Sequence, residues 1–328
     1  MMNGKREESR LECNQPDSRE VGAWIQKIRS GDVRALARAL SEVENGGPRA
    51  QALLAGLFPF SGRAWRVGVT GAPGAGKSSL VDCLARELRR EQKTVGIIGI
   101  DPTSPYTGGA ILGDRIRMQA HASDPGIFIR SMATRGFLGG LTRATGDAVL
   151  VLDAAGRDVI LIETVGVGQD EVDVVKVSDA VALVLAPGMG DDVQALKAGV
   201  LEIADVLVIN KSDREGSDRL EQELRAMLEM ARRPDGWVPP IVRTVATESS
   251  GVSELLAALR TCHFPGRRVS NWRAQLLEML QCRLMDRLIE RALGNGELDA
   301  AAAAVASRQR DPYRFVEEVI ERYERCAD

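Results

Sequence analysis

The sequence predicts a doubly wound α/β protein, a mostly parallel sheet with helical N- and C-terminal extensions. Three observations predict this. Short β-branched runs alternate with helical stretches between residues 65 and 262. A glycine-rich segment, "GAPGAGKSS" (71–79), joins one such run to an amphipathic stretch, "LVDCLARELRR". Outside these bounds apolar residues recur three and four apart, the period of a helix.

Residues 1–18 are polar and carry no predicted element. From Val21 to Phe58 the apolar spacing of Trp24, Ile25 and Ile28, then Leu36, Ala37 and Leu40, predicts two or three helices. Gly31 and "NGGP" break them. Seven strands follow: "RVGVT" (66–70), "TVGIIGI" (94–100), "IFIR" (127–130), "DVILIE" (158–163), "AVALVLA" (180–186), "VLVIN" (206–210) and "IVRTVA" (241–246). Near-continuous apolar strands separated by helices indicate a parallel sheet covered on both faces, with ligands at the carboxyl ends of its strands. From residue 267 onward Trp272, Leu276, Leu280, Leu284, Leu288 and Leu293 form a helical stripe. "ELDAAAAAVAS" and "DPYRFVEEVIERYE" add two helices. The stripe must be buried either on the sheet domain or on a second copy of the chain. The expected division is 1–60, an N-terminal helical extension; 61–265, a P-loop domain; and 266–328, a C-terminal helical arm.

Composition removes several classes of function. Among 328 residues the net charge is −3, and no basic footprint for nucleic acid is present. Cys13, Cys83, Cys262, Cys282 and Cys326 are odd in number and scattered, which argues against a disulfide framework or a zinc site and for a reducing, cytoplasmic setting. The start, "MMNGKREESR", lacks the apolar core of a signal peptide, and "AVALVLA" is too short to span a bilayer. Only seven of the 43 basic residues are lysines, so a lysine at a motif position is informative.

Residues 71–78 satisfy G-x-x-x-x-G-K-[ST] between a strand and a helix. Such a loop turns backbone N–H groups of Gly74, Ala75, Gly76, Lys77, Ser78 and Ser79 toward phosphate, helped by the positive end of the helix. Lys77 is expected to bridge the β- and γ-phosphates, and Ser78 to bind Mg2+. Asn210, Lys211 and Asp213, in "NKSD" at a strand end, are expected to read guanine. The Asp213 carboxylate makes a bidentate contact that adenine cannot return. Ala246, after the next strand, is expected to donate its N–H to the guanine oxygen.

"IETVG" (162–166) places Glu163 and Gly166 where GTPases carry D-x-x-G. Val167 follows, where many GTPases hold the glutamine that positions water, and Gln169 is only nearby. Intrinsic hydrolysis is expected to be slow. Asp101 and Asp114 are candidates to approach Mg2+ through water. Between them "PTSPYTGGAILG" has the composition of a loop able to rearrange with nucleotide state.

In order, "GAPGAGKSS", "DPTSPYTGGAILGDRIRM", "IRSMATRGFLGG", "ETVGVGQDE", "PGMGDDVQALKAG" and "NKSD" resemble the MeaB/ArgK family. These are GTPases that accompany adenosylcobalamin-dependent acyl-CoA mutases. The resemblance runs from about residue 20 to the end and is densest over 66–213. It implies a chaperone that uses GTP to gate cofactor delivery to a mutase and to protect or restore it. It assigns Lys77, Ser78, Asp101, Asp114 and Glu163 to phosphate and Mg2+. It also makes Gln194 and Lys197 coupling residues between mutase and hydrolysis, and implies a homodimer through the C-terminal arm. Phe137 and Asp170 depart from the family pattern, and the 187–199 segment leaves open which mutase is served. Two other readings are an amino-acid-transport kinase and a GTP-dependent metal-insertion protein. The first lacks an acceptor-activating base, and the second has only His121 and His263, far apart in sequence. A non-enzymatic GTP-binding scaffold is opposed by the intact Lys77, Ser78 and Glu163.

Overall fold

Strands that read as continuous apolar runs must be covered on both faces, and the computed structural model has that arrangement. It describes residues 18–101, 124–133, 140–164, 174–188, 203–230, 233, 235–262 and 264–326, without the side chains at 101, 133 and 140–142. All seven predicted runs become strands: β1 (Trp65–Gly71), β2 (Val95–Asp101), β3 (Ile127–Ala133), β4 (Val159–Thr164), β5 (Ala180–Leu185), β6 (Val206–Asn210) and β7 (Ile241–Thr244). They form one sheet in the order β3-β2-β4-β1-β5-β6-β7, and every pairing is parallel. β7 stops two residues before the predicted end, because Val245 bridges back to Ser250 and a 3-10 turn begins at Ala246.

Alternate strand residues go to opposite faces. On one face Ile98, Ile100, Ile160 and Ile162 pack with α1 (Ser18–Arg29), α2 (Val33–Asn45), α3 (Pro48–Leu57) and α5 (Gly140–Ala154). On the other, Val67, Val69, Ile97, Leu161 and Val208 pack with α4 (Lys77–Arg90) and α7 (Val252–Thr261). α6 (Ser217–Met230) covers Leu183, Leu185, Leu207 and Ile209 through Leu220 and Leu224. The N-terminal helices therefore share the core of the sheet. Asp32 caps α2 by accepting from the N–H groups of Arg34 and Ala35, both at 2.9 Å. Gly46 and Gly47 sit at φ +75° and +100°, which turns the chain before Pro48 opens α3.

The chain divides into two compact units, Met1–Asn271 and Trp272–Asp328. α8 (Arg267–Ala292) crosses the boundary. Within the second unit α9 (Glu297–Ala306) and α10 (Pro312–Arg325) close a small core of Ala292, Ala301, Phe315 and Val319, against which Leu288 and Leu293 pack. Trp272, Leu276, Leu280 and Leu284, the rest of the predicted stripe, are exposed in the monomer.

Candidate functional site

β1 ends in the glycine-rich loop, and the loop delivers the chain into α4. Gly71 has φ +136°, and a Cβ there would lie 2.0 Å from the Val184 carbonyl oxygen, so no other residue fits. Gly76 has φ +93°, and its Cβ would meet Asn210 Nδ2 at 2.4 Å. The tight turn leaves the first N–H groups of α4 without helical partners, at the positive end of its dipole. Lys77 is buried, and its ammonium donates to the carbonyl oxygens of Gly71 (2.7 Å) and Ala72 (3.0 Å). The Ser78 hydroxyl donates to Glu163 Oε1. Ser79 is half-buried in the first helical turn.

Glu163 reaches Ser78 because β1 and β4 are register neighbours, with Val69 opposite Glu163. Glu163 is 7% exposed, and one residue further along both strands the wholly buried hydroxyls of Thr70 and Thr164 lie 2.8 Å apart. Asp101 ends β2 one position beyond Ile100, which is paired with Thr164. Its backbone thus stands at the same carboxyl edge; its side chain lies outside the described residues. Asp114, Gly166, Gln194 and Lys197 lie outside them too, as do Phe137, Val167, Gln169 and Asp170.

Asn210 ends β6 and joins two loops. Its Nδ2 donates to the Ala75 carbonyl at 2.9 Å, while its Oδ1 accepts from Thr244 Oγ1 (3.1 Å) and the Ala246 N–H (3.2 Å). The Ala246 amide, expected to donate to guanine, therefore points at the Asn210 carboxamide, its nearest acceptor. Lys211 takes φ +57° and lays its ammonium 2.7 Å from the Gly74 carbonyl. Asp213 is exposed beside them. Sequence reasoning missed Thr244 and Cys83, whose thiol donates to the Ala246 carbonyl at 2.9 Å. Thr244 carries one usable signal, a polar residue ending a buried strand; Cys83 carries none, because its partner is 163 residues away.

The arrangement gathers a helix N-terminus, two lysines, a Ser–Glu oxygen pair and an Asn-anchored loop on one sheet edge. Those are the parts needed to hold a nucleoside polyphosphate and a hard cation. A family model described as methylmalonyl Co-A mutase-associated GTPase MeaB matches residues 36–297. The chain belongs to the MeaB family. Membership makes it a P-loop GTPase with guanine nucleotide as its ligand class. This MeaB-family chain is 47% identical to a putative GTPase of Pyrococcus abyssi, across 92% of its own length and 96% of that protein's. It is 37% identical to the mitochondrial methylmalonic aciduria type A homolog of Caenorhabditis elegans, covering 74% of this chain and 66% of the other. The crystal structure of a protein named LAO/AO transport system kinase superposes with a TM-score of 0.66 at 28% identity, over 92% of this chain and 96% of that one. Among the described residues no group of three or more His, Cys, Asp or Glu side chains could hold a metal ion. No helix among them is long and apolar enough to cross a membrane.

Proposed function

We propose that the protein is a GTP-hydrolysing chaperone that gates delivery of adenosylcobalamin to a cobalamin-dependent acyl-CoA mutase and protects or reactivates that enzyme. The observation that carries the reading is the convergence of Lys77, Ser78 and Glu163 on the edge where Asn210 ties the phosphate loop to Ala246. Support for the partner comes from the family's description as mutase-associated and from the name of the C. elegans relative.

In this reading Lys77 exchanges its two carbonyl partners for the β- and γ-phosphate oxygens. Gly74, Ala75, Gly76, Ser78 and Ser79 line the phosphates with N–H groups, and Gly166 adds one at the γ-phosphate. Asp213 and Lys211 hold guanine, while Ala246 turns its N–H from Asn210 to the base oxygen. Hydroxyl and carboxylate oxygens in contact suit Mg2+, so Ser78 and Glu163, with Asp101 and Asp114, would hold it. When bound, that ion neutralises charge on the phosphate oxygens. Gln194 and Lys197 couple mutase docking to hydrolysis. The exposed Leu276, Leu280 and Leu284 are the surface for a homodimer. A cytoplasmic setting leaves the thiols of Cys83, Cys262, Cys282 and Cys326 unbridged.

Two measurements test this. Calorimetry is expected to give GTP and GDP a preference over ATP of at least about two orders of magnitude, relaxed by Asp213→Asn. Equal ATP affinity would remove the guanine reading. GTPase turnover of the free protein is expected to be minutes per cycle or slower, with a cognate mutase accelerating it. Lys197→Ala should keep the basal rate and lose most of the acceleration; equal stimulation of wild type and variant overturns the coupling.

A further inference from the structure

A second concave site lies at the opposite, amino edge of the sheet. It is a cavity of about 1050 Å3 bounded by the first residues of β1 and β4, Trp65 and Val159, and wholly within the Met1–Asn271 unit. A seven-residue strand separates it from the phosphate loop, a distance of about 20 Å. The two sites can be filled together.

Its walls carry a net positive charge, seven basic side chains against three carboxylates. Three lining carboxylates are already committed to the protein. Asp153 accepts from the N–H groups of Gly62 (2.6 Å), Arg63 (3.1 Å) and Ala64 (3.0 Å). Asp158 accepts from the Thr94 N–H and hydroxyl, both at 2.8 Å. Asp179 binds Arg66 at 2.6 Å and Arg268 at 2.8 Å. Two lining arginines are likewise satisfied, Arg260 by Glu91 and Arg267 by Asp205. Four cations remain: Arg29, Arg63, Lys93 and Arg157 line the cavity without a salt bridge among the described residues, and of these Lys93 and Arg157 feel the Asp158 carboxylate at longer range. Arg29 stacks on the Phe60 ring at 3.6 Å. Arg157 gives Nη1 to the Gly126 carbonyl at 3.3 Å, and its buried Nε has no hydrogen-bond partner. Burial, with Arg89 nearby, holds that guanidinium below its ordinary range despite the opposing pull of Asp158, the condition a bound anion would relieve.

We infer that this cavity binds a small organic phosphate carrying two or more negative charges. A lone carboxylate would leave most of the four cations unmatched, whereas a phosphate monoester brings nearly two charges and a diphosphate more. Guanidinium forks match phosphate oxygens in pairs. Phe60, Trp65 and Phe264 supply an apolar wall for the organic body, and the volume exceeds what an inorganic ion needs.

The test is calorimetric titration of the full chain with inorganic pyrophosphate, with GDP-saturated wild type and Lys77→Ala in parallel and circular dichroism on each variant. One pyrophosphate is expected to bind both proteins with similar affinity. Arg63→Ala, which alters an exposed residue, should weaken it at least about tenfold, as should Arg29→Ala, while citrate at matched ionic strength binds at least about tenfold more weakly. Pyrophosphate failing to bind GDP-saturated protein overturns the proposal. So does unchanged affinity in both folded arginine variants, or citrate binding as tightly as pyrophosphate.

Discussion

The two edges of the sheet are built on different principles. At the amino edge, two carboxylates are locked into the fold. Asp205 is wholly buried, yet it accepts from Arg233 (3.2 Å), Arg267 (2.7 Å) and the Val181 N–H (2.9 Å), so β5, β6, the 233 turn and the start of α8 meet at one carboxylate. Asp179 does the same for β1 and α8 through Arg66 and Arg268, and Asn271 adds bonds to the Val175 and Ser178 carbonyls at 3.2 and 3.1 Å. At the carboxyl edge, Lys77 and Lys211 are held by main-chain carbonyls, contacts that a phosphate can replace. At the amino edge the buried carboxylates are spent on the fold, which leaves Arg29, Arg63, Lys93 and Arg157 around the cavity; at the carboxyl edge the lysines are held by carbonyls that a ligand can replace.

Breaking the amino edge should have the largest effect. Asp205→Ala removes the carboxylate partner of the half-buried Arg267, while Arg233 keeps Asp235, and is expected to cost about 3 kcal/mol in urea unfolding, with nucleotide affinity of the folded fraction unchanged. A loss of affinity at unchanged stability would erase the contrast. The converse comes from Lys77→Ala. It should weaken GTP binding at least about a hundredfold, near 2.7 kcal/mol, while the unfolding midpoint of the nucleotide-free protein moves little.

Between the edges, on α5, burial pushes the Asp147 carboxyl up to about 6, against a weaker pull from Arg143 at 3.9 Å. The folded value lies above the unfolded one. The folded state therefore binds the extra proton between about pH 4 and 6, and stability falls as pH rises through that window. Asp147→Asn is expected to stabilise the protein by about 1–3 kcal/mol at pH 7 and by almost nothing at pH 4. A gain that does not depend on pH would mean the effect is packing. The smallest effect expected is Asp32→Ala, a slight fall in the urea midpoint from the lost cap of α2, with nucleotide affinity unchanged.

Much of this was legible because local rules and tertiary demands agree. The phosphate loop could be read from Gly71, Gly76 and Lys77, since a left-handed turn into a helix N-terminus admits few residues. All seven strands were legible because burial on both faces forces uninterrupted apolar runs. The end of β7 was not, since Val245 and Ala246 read as strand until the bridge to Ser250 turns them. Nor was the stripe on α8 resolved: spacing placed Leu276 and Leu288 on one helix, but only packing put Leu288 in a core and left Leu276 exposed.

By itself the sequence determined the doubly wound sheet, the nucleotide-holding loop and the identity of its chemical groups, because each is encoded within a few residues of chain. Tertiary structure alone decided the partnerships: Ser78 with Glu163 across 85 residues, Asn210 with Ala75 across 135, Cys83 with Ala246 across 163. It also decided that Asp205 and Asp179 are spent on arginines while Arg29, Arg63, Lys93 and Arg157 are left around a cavity. No local pattern marks a charge as paired, because pairing depends on which strand ends the crossovers bring side by side.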